Sequence, residues 1–237
     1  MLNRLPLLLV FIVAIASAAH AQRTGPPTTA QLWAAKLDDS SAALAKGEHQ
    51  KALKISERLI REMVDELGPG NAATKFFGLV LSHKAIALAG LGRKDEALWF
   101  WQTVISLYPG FAKSELSTFG EAGAFLDRHR ELRTPIPAAE RKALEKATSI
   151  KPPSIVKRVT PVFPAGAQHF GVDGLLIVNV VINADGTLSS PVILKSLPAP
   201  TLSYVALDAI RKWRFAPALE NGKPIATQFE LTINFKL

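Results

Sequence analysis

A change of hydrophobic period at Lys151-Pro152-Pro153 divides this chain. From Thr28 to Leu132 apolar residues recur at helical spacing, with Ala and Leu abundant and little clustering of β-branched residues. Beyond Pro153 the period falls to that of a strand, as in Leu176, Val178, Val180 and Ile182 alternating with Leu175, Ile177, Asn179 and Val181. Two periods in two blocks predict an α+β chain, with an all-α array first and a small sheet-based domain second.

The segments ahead of the array have their own chemistry. Arg4 precedes an apolar run from Leu5 to Ala16, and Ala19-His20-Ala21 before Gln22 has the small-x-small form of a leader peptidase site. Residues 1–21 therefore read as a secretory signal peptide, cleaved after Ala21 and delivering the protein to the periplasm. The alternative is an uncleaved inner-membrane anchor, although the apolar stretch falls short of the roughly 20 residues that span a bilayer. The sequence holds no Cys, which excludes disulfides and thiolate chemistry. The net charge of +8 is spread along the chain with no basic stripe, so nucleic acid is not an expected partner.

Within the helical half, assigned to residues 28–133, two stretches match: Gly47-Glu48-His49-Gln50-Lys51-Ala52-Leu53 and Gly92-Arg93-Lys94-Asp95-Glu96-Ala97-Leu98. Each places a turn glycine five residues before an Ala-Leu pair, where one helix ends and the next begins. The second copy, with Ala97, Trp101 and Pro109, resembles a tetratricopeptide unit; the first resembles it loosely, with Ser56 at the aromatic position. Gly68-Pro69-Gly70-Asn71 is the expected site of extra connecting residues, and a helix over Ala112 to Leu132 is expected to cap the array. An array of this kind implies docking of another protein. The stripe Ala97, Phe100, Trp101, Val104 and Ile105 faces inward, which turns Trp99, with Gln102 and Ser106, toward solvent or a partner. Residues 134–153 form a linker containing a charged helix over Ala138 to Ala147.

In the second domain, residues 154–237, Asn183-Ala184-Asp185-Gly186 predicts a hairpin turn between the first strand and another over Thr187 to Ser196. Leu202, Val205, Ala206, Ala209, Ile210 and Trp213 fall on one helical stripe. Asn221-Gly222 is a second turn, and Ile225 to Leu237 alternates as a long final strand. Its polar face runs through Gln228, Glu230, Thr232 and Asn234 to Lys236.

Several motifs then coincide in order: Pro161-Val162-Phe163-Pro164 with Ala167, Gly171-Val172-Asp173-Gly174, Asp185-Gly186, Trp213-Arg214-Phe215-Ala216-Pro217-Ala218, and Asn221-Gly222-Lys223-Pro224 before the closing strand. Together they resemble the TonB C-terminal domain family over about the last 85 residues. The resemblance implies a three-stranded antiparallel sheet with two helices on one face. It also implies pairing with an extended segment of an outer-membrane receptor or another cell-envelope protein. Thr160, Pro161, Phe163 and Pro164, with Gln228, Glu230, Thr232 and Asn234, are the expected contacts, and Trp99 is added from the helical half. The same strand edge could pair two copies in a homodimer.

Two departures from the family pattern favour a periplasmic binding protein over an anchored energy transducer. Ser17 and His20 stand three apart where transducing members have a Ser and His four apart, and helices replace a Pro-rich spacer. Thr160 also stands before Pro161 where receptor-engaging members often have Gln. His49, His83, His129 and His169 are scattered, and no nucleophile elbow or phosphate-binding loop is present. No enzyme activity, metal, cofactor or small-molecule substrate is expected.

Overall fold

The computed structural model of the chain describes residues 26–66, 74–162 and 173–235. The leader, the connection around Pro69, and Phe163 and Pro164 lie outside these residues. Four long helices come first: α1 (Thr29–Ala45), α2 (His49–Glu66), α3 (Thr74–Gly90) and α4 (Lys94–Leu107). Thr28 opens α1 with a capping box, its hydroxyl accepting from the Gln31 backbone while Gln31 reaches back to the Thr28 N–H.

The two matched glycine turns are structurally alike. Gly47 (φ 72°) and Gly92 (φ 76°) both take the left-handed conformation after a helix. In each, the glycine N–H and the next N–H bond back to carbonyls of the last helical turn: Gly47 to Leu44, Glu48 to Ala43, Gly92 to Ala89 and Arg93 to Leu88. These are Schellman closures, which explains why both copies need glycine there. Helix α3 is apolar over most of its surface because its neighbours enclose it, and even Ser82, His83 and Lys84 are buried. Phe77, Val80, Leu81, Ala85, Ile86 and Ala87 are fully buried, with α2, α4 and a later short helix packed around them.

The capping helix expected over Ala112 to Leu132 is replaced by two 3-10 turns, Pro109–Lys113 and Ser117–Phe119, followed by α5 (Gly120–Asp127). The Asp127 carboxylate accepts the Leu116 and Ser117 N–H groups, and Leu116 comes so close that a Cβ on Gly123 would lie 1.6 Å from its carbonyl oxygen. The chain folds back on itself here, which a continuous helix could not do. After an extended strap come α6 (Ala138–Ala147), as expected, and β1 (Ser154–Lys157).

The C-terminal unit is built on β2 (Gly174–Ile182), β3 (Leu188–Lys195) and β7 (Thr227–Phe235), an antiparallel sheet of order β3-β2-β7. Gly186 (φ 79°) turns β2 into β3, and Asp185 accepts from both the backbone and hydroxyl of Thr187. Those two hydrogen bonds hold the Asp185 carboxyl below its ordinary pKa. Helix α7 (Pro200–Ile210) adds Leu202, Ala206, Leu207 and Ile210 to the core face of β2, and Trp213 follows just past its end. Short strands complete the unit: β4 (Arg214–Ala216) pairs with β1, and β5 (Ala218–Glu220) with β6 (Lys223–Ile225) across the Asn221-Gly222 turn. The single strand expected from Ile225 to Leu237 is therefore two. Residues 223–225 pair with β5, and β7 begins at Thr227 with β2 as its neighbour.

Candidate strand-addition site

Both faces of β2 are apolar in sequence, and both are covered. Leu176, Val178, Val180 and Ile182 enter the core; on the opposite face Asn179 is fully buried and Leu175, Ile177 and Val181 half-buried. The cover over that second face includes the strap between α5 and α6. Arg133 donates to the Ser190 carbonyl of β3 at 3.0 Å, the Ile136 N–H donates to Gln228 Oε1 of β7 at 2.8 Å, and Gln228 Nε2 donates to the Thr134 carbonyl at 3.3 Å. Ser189 and Gln228 flank Val181 in register, so the strap crosses the sheet from one edge strand to the other.

The two edges of this sheet differ. Helix α4 lies along β3, and Ser106 Oγ accepts the Ile193 N–H at 2.7 Å. Together with Arg133 on Ser190 it occupies backbone groups that an edge strand would otherwise present to another chain. Burial holds the Arg133 guanidinium below its ordinary pKa. Strand β7 bounds the other side, and among the described residues no further strand pairs with it. Its beginning is flanked by α6, whose Arg141 guanidinium sits 4.9 Å from the Phe229 ring centroid. From Glu230 to Asn234 no strand among the described residues lies along the outer edge, and Thr232 and Asn234 are exposed. The core face of β7 is anchored by Leu231 and Phe235, at 5% and 1% exposure. An extended segment laid along this stretch could take up every second N–H and C=O of β7, because alternate residues of an edge strand turn those groups away from the sheet.

The residues named from sequence separate into groups. Glu230, Thr232 and Asn234 lie together on the later stretch of β7, with Glu230 half-buried. Gln228 is on β7 but is tied to the strap by its side chain. Thr160 is exposed and Pro161 half-buried in the extended chain after β1, while Phe163 and Pro164 lie outside the described residues. Trp99 is a correction. It is 2% exposed, and its face of α4, shared with Gln102 and Ser106, meets β3 of the same chain, not solvent or a second protein. Sequence reasoning missed Ser106 and Arg133, which distinguish the two edges; the signal available was an extended Pro135-x-Pro137 stretch adjoining a strand with two apolar faces.

Residues 159–237 match the family model described as Gram-negative bacterial TonB protein C-terminal. Protein TonB of Vibrio cholerae is 31% identical over 87 residues, which make up 37% of this chain and 36% of that protein. Protein TonB of Pseudomonas aeruginosa is 34% identical over 77 residues, covering 32% of this chain and 22% of that protein. The chain thus spans about a third or less of the curated relatives' length. Among solved structures, the solution NMR structure of the Pseudomonas aeruginosa TonB CTD is 32% identical, covering 37% of this chain and 86% of that one, with a TM-score of 0.32.

Proposed function

From a C-terminal unit, residues 159–237, that belongs to the TonB C-terminal family, we propose that this protein binds cell-envelope proteins by strand addition at β7 in TonB-dependent outer-membrane transport. The observation that carries this reading is the asymmetry of the sheet: β3 is covered by Ser106 and Arg133, and among the described residues no strand pairs with β7 from Glu230 to Asn234 on its outer side. The partner is an extended segment of an outer-membrane receptor or other envelope protein. Each backbone hydrogen bond it forms contributes a net of about 0.5 to 1.5 kcal/mol, so a few of them make a reversible grip. The polar side chains of Thr232 and Asn234 keep the edge soluble when it is empty.

The leader supports export, with cleavage after Ala21 releasing a periplasmic protein that starts at Gln22. A second reading rests on the apolar run Leu5 to Ala19 with Ser17 and His20: an inner-membrane anchor through which proton energy reaches the receptor. Intact mass after fractionation of expressing cells separates the two, since a periplasmic species lacking 21 residues sinks the anchored reading and a full-length inner-membrane species sinks the released one.

The binding mode is tested by photo-crosslinking. A photoreactive amino acid at Asn234 is expected to capture an outer-membrane protein in cells, and the same probe at exposed Asp38 is not. Adding Thr232→Pro, which removes an N–H and fits poorly beside an added strand, should abolish the Asn234 adduct. Undiminished crosslinking in the proline variant would rule out strand addition.

A further inference from the structure

The helical half carries a second concavity, distant from the sheet edge and independent of the β7 reading. The Gly47 turn, the end of α3, the start of α4 and the face of α5 enclose an open cavity of about 590 Å³. Its lining is aromatic and aliphatic at Leu44, Ala89, Phe119 and Phe125, and cationic at Lys46, Lys94 and Arg128. Among the described residues Glu121 is the lone carboxylate of that lining. Among the described residues none of the three cations is held in an ion pair; Lys94 Nζ rests 5.5 Å from the Phe125 ring centroid. His49 completes the wall. Its Nδ1 is buried with no hydrogen-bond partner among the described residues, and Gly90 makes room for the ring, since a Cβ there would lie 2.4 Å from imidazole carbons.

We infer that this cavity binds an acidic peptide segment of a partner protein, seating an apolar side chain on Phe119 and Phe125 and carboxylates against Lys46, Lys94 and Arg128. Charge complementarity selects the occupant: three unpaired cations around one carboxylate attract negative charge and repel a basic segment. The aromatic floor selects a peptide over a small anion, which would leave that floor uncovered. The matched turns thus acquire a use. Their Schellman closures bring the ends of two helical hairpins side by side without long loops, and that leaves the cavity open.

The test is selection of a random hexapeptide phage library on the full chain, followed by fluorescence anisotropy of the enriched peptides. Enrichment of sequences with two or more Asp or Glu around an aliphatic or aromatic residue is expected. Their affinity should fall about tenfold or more in Lys94→Glu/Arg128→Glu, and should be unchanged in Thr232→Pro. Both reversed residues are exposed, so the double variant should melt with the parent; Lys46→Glu alone gives a smaller loss in the same direction. Enriched peptides lacking carboxylates, no enrichment at all, or affinity indifferent to charge reversal would overturn the inference. Loss in Thr232→Pro would transfer the peptides to the sheet edge, and cation-dependent sedimentation with phosphatidylglycerol vesicles without peptide binding would assign the cations to a lipid surface; either refutes it.

Discussion

His83 is 6% exposed in the helical core, with Nδ1 3.1 Å from Ser40 Oγ and the Phe119 ring 6.0 Å away. Burial disfavours its charged form and lowers its pKa from 6.5 to about 4. In the unfolded chain the imidazole gains a proton as pH falls through 6.5, whereas in the folded chain it stays neutral down to about 4. Across that window the unfolded state binds more protons, so stability is lost as pH falls and the contribution levels off below pH 4. The full loss from this residue is about 3 kcal/mol, of which about 2 kcal/mol should appear as a gap between urea unfolding at pH 7 and at pH 4.5 that His83→Gln narrows. Gly123 is a second sensitive position for a different reason. An alanine methyl there meets the Leu116 carbonyl, so Gly123→Ala should cost about 3 kcal/mol and lower the melting temperature even though alanine is the better helix former.

At the scale of elements, α4 connects the two halves. One side of it, with Ala97, Phe100, Trp101, Val104 and Ile105, fills the helical core, and the side carrying Ser106 meets β3. Arg133→Ala would remove the charged donor from the Ser190 carbonyl and strip part of the strap, at a cost of about 1.5 to 3 kcal/mol in urea unfolding. These elements also show what could be read from sequence. The hairpin turn at Asp185-Gly186, the matched closures at Gly47 and Gly92, α6 and the alternation of β7 follow from local rules, because each is decided by residues within a few positions. Trp99 was misjudged because helical periodicity tells which residues share a face and not what that face meets. The helix expected from Ala112 to Leu132 failed at a contact between Leu116 and Gly123, which composition does not reveal. Whether an edge strand is open is likewise decided by side chains far off in sequence, here 87 residues between Ser106 and Ile193 and 57 between Arg133 and Ser190.

Across the whole molecule, one continuous apolar cluster runs from Trp33 through the helices to Phe235. The halves meet at Lys84, whose ammonium lies 4.0 Å from the Phe100 ring centroid and donates to Tyr204 Oη at 3.2 Å. Phe77 packs edge-on against Tyr204 at 5.6 Å, and Arg211 of the C-terminal unit pairs with Glu96 of α4 at 2.9 Å. Burial lowers the pKa of Lys84, with nearby carboxylates opposing it, and raises that of Tyr204 above its ordinary range. Shared packing of this kind predicts a single calorimetric transition for the described halves. Tyr204→Ala, which removes the ring from Phe77, Phe100 and Lys84 together, should cost about 3 kcal/mol and separate the endotherm into two. A single unshifted endotherm in that variant would mean that the halves are coupled elsewhere.

The covered β3 edge has a consequence for valence. A sheet with two accessible edges is a bifunctional monomer, able to accept a strand on one side while donating itself on the other, and so to grow without limit. With Ser106 and Arg133 seated on β3, strand addition at β7 as proposed would make this sheet a chain terminator, with one added strand completing the assembly.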